Sequence, residues 1–160
     1  MTEGSPPRKT AAVRTAVVRG SAAGFAQTIQ AGRHTLRSDE PTADGGTDSG
    51  PTPYELLLSA LGACTSMTLG LYARRKGWPL ENVTVTMRHS KVHAIDCADC
   101  DHKEVLLDHI ERDIELDGPL TDEQRRRLLE MADKCPIHKT LTAKAHIETR
   151  LVGTAPPPAP

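Results

Sequence analysis

Apolar and polar positions alternate first near the N-terminus, where Val13, Thr15 and Val17 share one parity and Phe25, Gln27 and Ile29 share another across a Gly20 to Gly24 turn. Period-two alternation on both sides of a glycine turn predicts a β-hairpin. A third short strand is expected near Arg33 to Arg37. Residues 41–51 (PTADGGTDSGP) are too rich in Gly, Pro and Asp for a helix or strand interior and read as a loop. A long helix follows: Thr52 is a capping residue, Pro53 suits the first helical position, and Glu55 completes a capping box. It is expected to run to Lys76, with Gly77 and Pro79 as stop signals and Arg74, Arg75 and Lys76 favoured by the C-terminal dipole.

Beyond this helix, Val83, Val85 and Met87 alternate as a strand, and residues 105–116 predict a second one, whose first half also fits a helix. Thr121 and Gln124 mark the start of a shorter helix expected to continue to Lys134 and to stop at Cys135-Pro136. Leu128, Ala132 and Cys135 fall at i, i+4 and i+7, which puts Cys135 in line with that helix's apolar face. Leu141, Ala143, Ala145, Ile147, Thr149 and Leu151 alternate as a last strand. The order of elements is that of an α+β protein. Residues 10–152 are expected to form a single domain between flexible tails at 1–9 and 153–160, the latter reading GTAPPPAP.

Composition narrows the function classes. Twenty Lys and Arg against 21 Asp and Glu give a formal net charge of −1, so no global field recruits nucleic acid or an anionic membrane. Phe25, Tyr54, Tyr72 and Trp78 are the only aromatic residues, too few for a base-stacking platform. Residues 56–73 are uncharged for 18 positions, but six Ser, Thr and Gly residues make them mildly polar, and a core helix or a dimer seam is expected rather than a membrane span. No apolar stretch follows the basic N-terminal residues, so a cytoplasmic location is expected. In a reducing compartment four cysteines point to redox or metal chemistry.

Cys64 lies in the middle of the long apolar helix, and Cys135 ends the apolar face of the shorter one. The two thiols meet if those faces pack together, and the pattern fits a pair of inert buried thiols equally well. Cys97 and Cys100, with His93 and His102, place two thiols and two imidazoles within ten residues. This Cys-x2-Cys is one half of a zinc site, a redox pair, or an acidic loop with incidental thiols; Asp96, Asp99 and Asp101 work against thiolate formation. His138, three residues after Cys135, is read as serving the turn after Pro136.

Two segments, PTPYELLLSALGACTSM at 51–67 and KCPIH at 134–138, resemble the signature segments of the OsmC/Ohr family, the osmotically induced and organic-hydroperoxide-resistance proteins. The likeness extends to the order of elements across nearly the whole chain, including Gly45-Gly46 before the long helix. It implies an intertwined homodimer with active sites at the subunit interface and no required cofactor. It also implies a peroxidase for organic hydroperoxides, in oxidative stress defence. The thiolate matching Cys64 attacks the peroxide, the thiol matching Cys135 condenses with the sulfenic acid, and a dithiol such as dihydrolipoamide restores both.

Cys64 must then ionise near neutral pH without help from a helix N-terminus, so the resemblance implies an arginine, with Arg33 and Arg37 as candidates. The family's helix glutamate directly follows the proline. Here that place is Tyr54, and Glu55, one position and about 100° further round, is either a catalytic partner or the capping-box residue of Thr52. The competing class is a non-enzymatic thiol protein that binds a metal or small electrophile at the dimer cleft.

Overall fold

The computed structural model describes residues 13–93 and 106–152. In chain order they form strands β1 (Ala16–Gly20), β2 (Gln27–Ala31) and β3 (His34–Ser38), helix α1 (Pro53–Lys76), strands β4 (Asn82–His93) and β5 (Leu106–Asp117), and helices α2 (Asp122–Ala132) and α3 (Pro136–Thr142). They fall into two compact units, one ending at Leu57 and the other beginning at Leu58.

The first unit is an antiparallel meander, β1-β2-β3. Ala31 pairs with His34, leaving the two-residue connection Gly32-Arg33, and Gly32 takes φ +60°, a left-handed conformation that glycine adopts without steric cost. The loop expected over 41–51 holds one turn of 3₁₀ helix at Thr42–Asp44, closed by Gly45 at φ +89°. Asp39 organises the loop. Its buried carboxylate accepts the backbone N–H groups of Glu40, Thr47 and Ser49 and the hydroxyls of Thr47 and Ser49. Glu55 and Thr52 form the expected capping box at the start of α1.

In the second unit β4 and β5 form a 12-residue-long antiparallel pair in which Val83 faces Leu116, Val85 faces Ile114 and Met87 faces Arg112. Alternate residues on both strands are half-buried, as period-two patterning requires for a sheet covered on one side. The cover is α1: a Cβ placed on Gly62 would sit 3.3 Å from Met87 Cγ, so the small residue allows close approach of helix to sheet. Leu69 and Ala73 of α1 pack with Leu128 and Ala132 of α2, and Trp78, Val83, Ile114 and Leu116 surround them. By length and composition α1 is apolar enough to cross a membrane, yet its Leu61, Thr65, Leu69 and Ala73 file is buried in this fold. Gly77 ends the helix at φ +66°, donating to Arg74 O while Trp78 N–H reaches Ala73 O, a Schellman closure.

Two expectations change after α2. The helix starts with the Thr121/Gln124 capping box but ends at Ala132 rather than Lys134. Pro136 disfavours helical geometry in the residue before it, and Cys135 is accordingly extended at φ −57°, ψ 133°, where it caps α3. The expected last strand over 141–151 does not form within this chain. Leu141 and Thr142 belong to α3, and residues 143–152 are exposed and pair with no strand among the described residues. An alternating segment becomes a strand only where a sheet edge receives it.

Candidate active site at the two thiols

Cys64 and Cys135 come together. α1 carries Cys64 half-buried, the α2–α3 turn carries Cys135 fully buried, and both are free thiols. The two thiols lie close enough for each to alter the other's ionisation. Cys135 Sγ also accepts the backbone N–H of His138 at 3.4 Å, so His138 does serve the turn, through its main chain.

The two environments differ. Burial, reinforced by the neighbouring Cys135, pushes the Cys64 thiol above its ordinary value, against weaker help from the Ile137 N–H and Thr68. Burial pushes Cys135 up as well. There the neighbouring Cys64 thiol, the N–H groups of His138 and Ile137, and the nearby Thr65 together outweigh it, and the net displacement is downward. Donors converging on a sulfur favour its anionic form.

Two residues that sequence reasoning passed over complete the surroundings of Cys135. Thr65 is fully buried, and its hydroxyl accepts from Arg112 Nη1 at 3.1 Å and donates to Leu61 O at 2.9 Å. Arg112 Nη1 also reaches Ala132 O at 3.3 Å, and Nη2 binds the Asp133 carboxylate at 2.7 Å. The available signal was its parity: Ile110, Arg112, Ile114 and Leu116 are the half-buried residues of β5, and a cation in an apolar file needs acceptors from another element. A cavity of about 280 Å³ adjoins this group, with an apolar wall of Leu61, Ile110 and Leu141 and polar groups from Arg112, His138 and Asp108.

The remaining candidates are placed as follows. The Glu55 carboxylate is engaged in the capping box, 2.7 Å from the Thr52 N–H. Arg37 lies on β3 opposite Thr28, and Arg33 lies in the β2–β3 connection; both are exposed residues of the first unit. Cys97, Cys100, His102 and the side chain of His93 lie outside the described residues. Among the described residues no three His, Cys, Asp or Glu side chains converge as a metal site.

The family model for OsmC-like proteins matches residues 46–150, a span that contains both thiols. The chain belongs to the OsmC-like family. An OsmC-like protein from Mycoplasma pneumoniae superposes with a TM-score of 0.62 at 22% identity, covering 83% of this chain and 88% of that one. An organic hydroperoxide resistance protein OsmC from Legionella pneumophila gives 0.62 at 18% identity, with 84% and 92% covered. The organic hydroperoxide resistance protein OhrB of Bacillus subtilis gives 0.56 at 19% identity, with 81% and 90% covered. At these identities the likeness establishes the OsmC-like fold. No curated protein matches the sequence significantly.

Proposed function

We propose that this OsmC-like protein is a thiol-dependent peroxidase for organic hydroperoxides, with Cys64 peroxidatic and Cys135 resolving. The observation that carries the reading is the approach of two free thiols, one half-buried and one fully buried, brought together from separate elements. Attack by the Cys64 thiolate on the distal peroxide oxygen releases the alcohol and leaves a sulfenic acid. Cys135 then forms the disulfide with loss of water, and a dithiol such as dihydrolipoamide reduces it. Arg33 or Arg37 would supply the cation that steadies the Cys64 thiolate, and two copies of the chain, in the cytoplasm, would complete the active sites. The test is peroxide consumption with dihydrolipoamide. Turnover that vanishes in Cys64→Ser supports the assignment, and wild-type protein that consumes no organic hydroperoxide removes it.

One observation favours a second reading, a thiol protein without turnover that binds a metal or small electrophile: Tyr54 stands directly after Pro53, where the family's helix glutamate would be, and the Glu55 carboxylate is engaged by the Thr52 N–H. Stable alkylation of Cys64 without peroxide consumption is the outcome that would select it. Zinc at Cys97 and Cys100, completed by His93 or His102, is a separate proposal from sequence. Metal analysis of purified protein and of the Cys97→Ser, Cys100→Ser variant decides it.

A further inference from the structure

We infer, on the dithiol reading of the site, that Arg112 is a positioning residue: it ties the helix turn that carries Cys64 to the turn that carries Cys135, and so sets how readily the two thiols close into a disulfide.

One guanidinium spans the two elements. Arg112 Nη1 donates to Thr65 Oγ1 at 3.1 Å and to Ala132 O at 3.3 Å, and Nη2 donates to the Asp133 carboxylate at 2.7 Å. On the α1 side the acceptor belongs to the residue next to Cys64. Thr65 donates its own hydroxyl proton to Leu61 O at 2.9 Å, which fixes its rotamer and leaves its oxygen to accept from the arginine. On the other side the same Ala132 carbonyl accepts the Cys135 N–H at 3.3 Å, and so closes the turn on which that thiol stands. The far end of the turn is fastened by the His138 N–H on Cys135 Sγ at 3.4 Å.

Arg112 reaches both elements because of where β5 places it. It faces Met87 across the ladder, and Met87 is the residue against which Gly62 lets α1 settle, about one helical turn before Thr65. The arginine side chain is only 14% exposed, so its bonds are made largely out of solvent. The apolar core does not supply the same constraint. Leu69 and Ala73, further along α1, pack on Leu128 and Ala132 of α2, and apolar contact has no direction. Directed bonds are needed to stop sliding and rotation at the thiol end, where a misplacement of about 1 Å at a reacting pair can cost on the order of 100-fold. Arginine suits this place because its planar fork serves several fixed acceptors at once, which the point charge and flexible stem of lysine do not reproduce.

Disulfide exchange with glutathione reads the constraint without needing peroxidase activity. One protein thiolate attacks glutathione disulfide and releases one glutathione; the second protein thiolate attacks the mixed disulfide and releases the other. Two protein thiols are oxidised, one glutathione disulfide is reduced, and the two thiol protons end on the two glutathiones.

The full chain is equilibrated over a series of glutathione ratios, quenched in acid, alkylated and mapped, so that the Cys64–Cys135 cross-link is counted apart from Cys97 and Cys100. Circular dichroism confirms that each variant is folded at the temperature used, which separates closure from stability. Arg112→Met keeps a long apolar stem and loses the fork. Its equilibrium constant for closure is expected to fall about tenfold or more, a shift of about 30 mV toward a more oxidising potential. Arg112→Lys should recover part of the loss. Thr65→Val should lower the constant too, and should lower it no further in the Arg112→Met background, because the contact it removes is already gone. A constant unmoved in folded Arg112→Met overturns the inference and leaves the proposed function standing. Full additivity of the two substitutions overturns the tie through Thr65. Should Arg112→Met not fold, Arg112→Lys and Thr65→Val carry the same measurement, and an unmoved constant in both overturns the inference. If the wild-type chain forms no Cys64–Cys135 cross-link at any glutathione ratio, the pairing itself is wrong, and the proposed function falls together with this inference.

Discussion

Glu55 and Thr52 exchange hydrogen bonds: the Thr52 N–H donates to Glu55 Oε2 at 2.7 Å, and the Glu55 N–H donates to Thr52 Oγ1 at 3.2 Å. Glutamine preserves such a box and alanine does not. Glu55→Ala is expected to cost about 0.3–1.5 kcal/mol of stability, and Glu55→Gln close to nothing. Because Glu55→Gln keeps the cap but removes the charge, its peroxide turnover isolates a catalytic role. With the carboxylate occupied by Thr52, turnover is expected to stay within about twofold of wild type. A loss of tenfold or more in a fully stable Glu55→Gln protein would give the carboxylate a part in the chemistry.

One equivalent of an organic hydroperoxide should convert the neighbouring thiols into a Cys64–Cys135 disulfide, read by peptide mapping under denaturing alkylation. Cys135→Ser removes the condensing thiol, so Cys64 should then proceed to sulfinic acid as peroxide is added. Wild-type protein in which Cys64 over-oxidises while Cys135 stays free would show that Cys135 does not resolve.

Asp39 sets a pH dependence in the first unit. The Thr47 hydroxyl foremost, with donors from Ser49 and Glu40, outweighs desolvation and holds its carboxyl far below the usual carboxylate range. A carboxyl lowered on folding contributes stability that is present above its unfolded value, near 3.9, and is lost as pH falls from there toward the folded value. Asp39→Asn should therefore melt lower than wild type at pH 7, and the gap should narrow progressively below about pH 4. A gap that stays constant down to about pH 2 would assign the loss to packing rather than to charge.

The chain leaves apolar surface uncovered: Met67 on α1 is 72% exposed, and Ile147 and Leu151 in the C-terminal segment are 83% and 100% exposed. Residues 143–152 keep strand-like alternation without a partner strand among the described residues. Sedimentation at micromolar concentration should give a dimer, and Met67→Glu should weaken it by placing a charge on an apolar helix face. A monomer at every concentration would remove the interface from the proposed active site.

Local rules made much of this fold readable. The Thr52/Glu55 and Thr121/Gln124 capping boxes and the Gly77 stop each depend on residues within about five positions of one another, and β4 declared itself by parity. The approach of Cys64 to Cys135 was legible because both lie in apolar files and because the flanking segments resemble those of a known family. Thr65 and Arg112 were not, since a threonine beside a cysteine and an arginine in a strand gain meaning only when α1, β5 and the α2–α3 turn converge. The same holds for the end of α2. Proline dictated a break near Cys135, but the break's geometry was fixed by the Ala132 carbonyl finding Arg112 and the Cys135 sulfur finding the His138 N–H. Sequence determined the elements and the reactive residue types, because those follow from short-range sterics and patterning. Tertiary structure decided which sulfur is surrounded by donors, because that depends on groups brought together from distant parts of the chain.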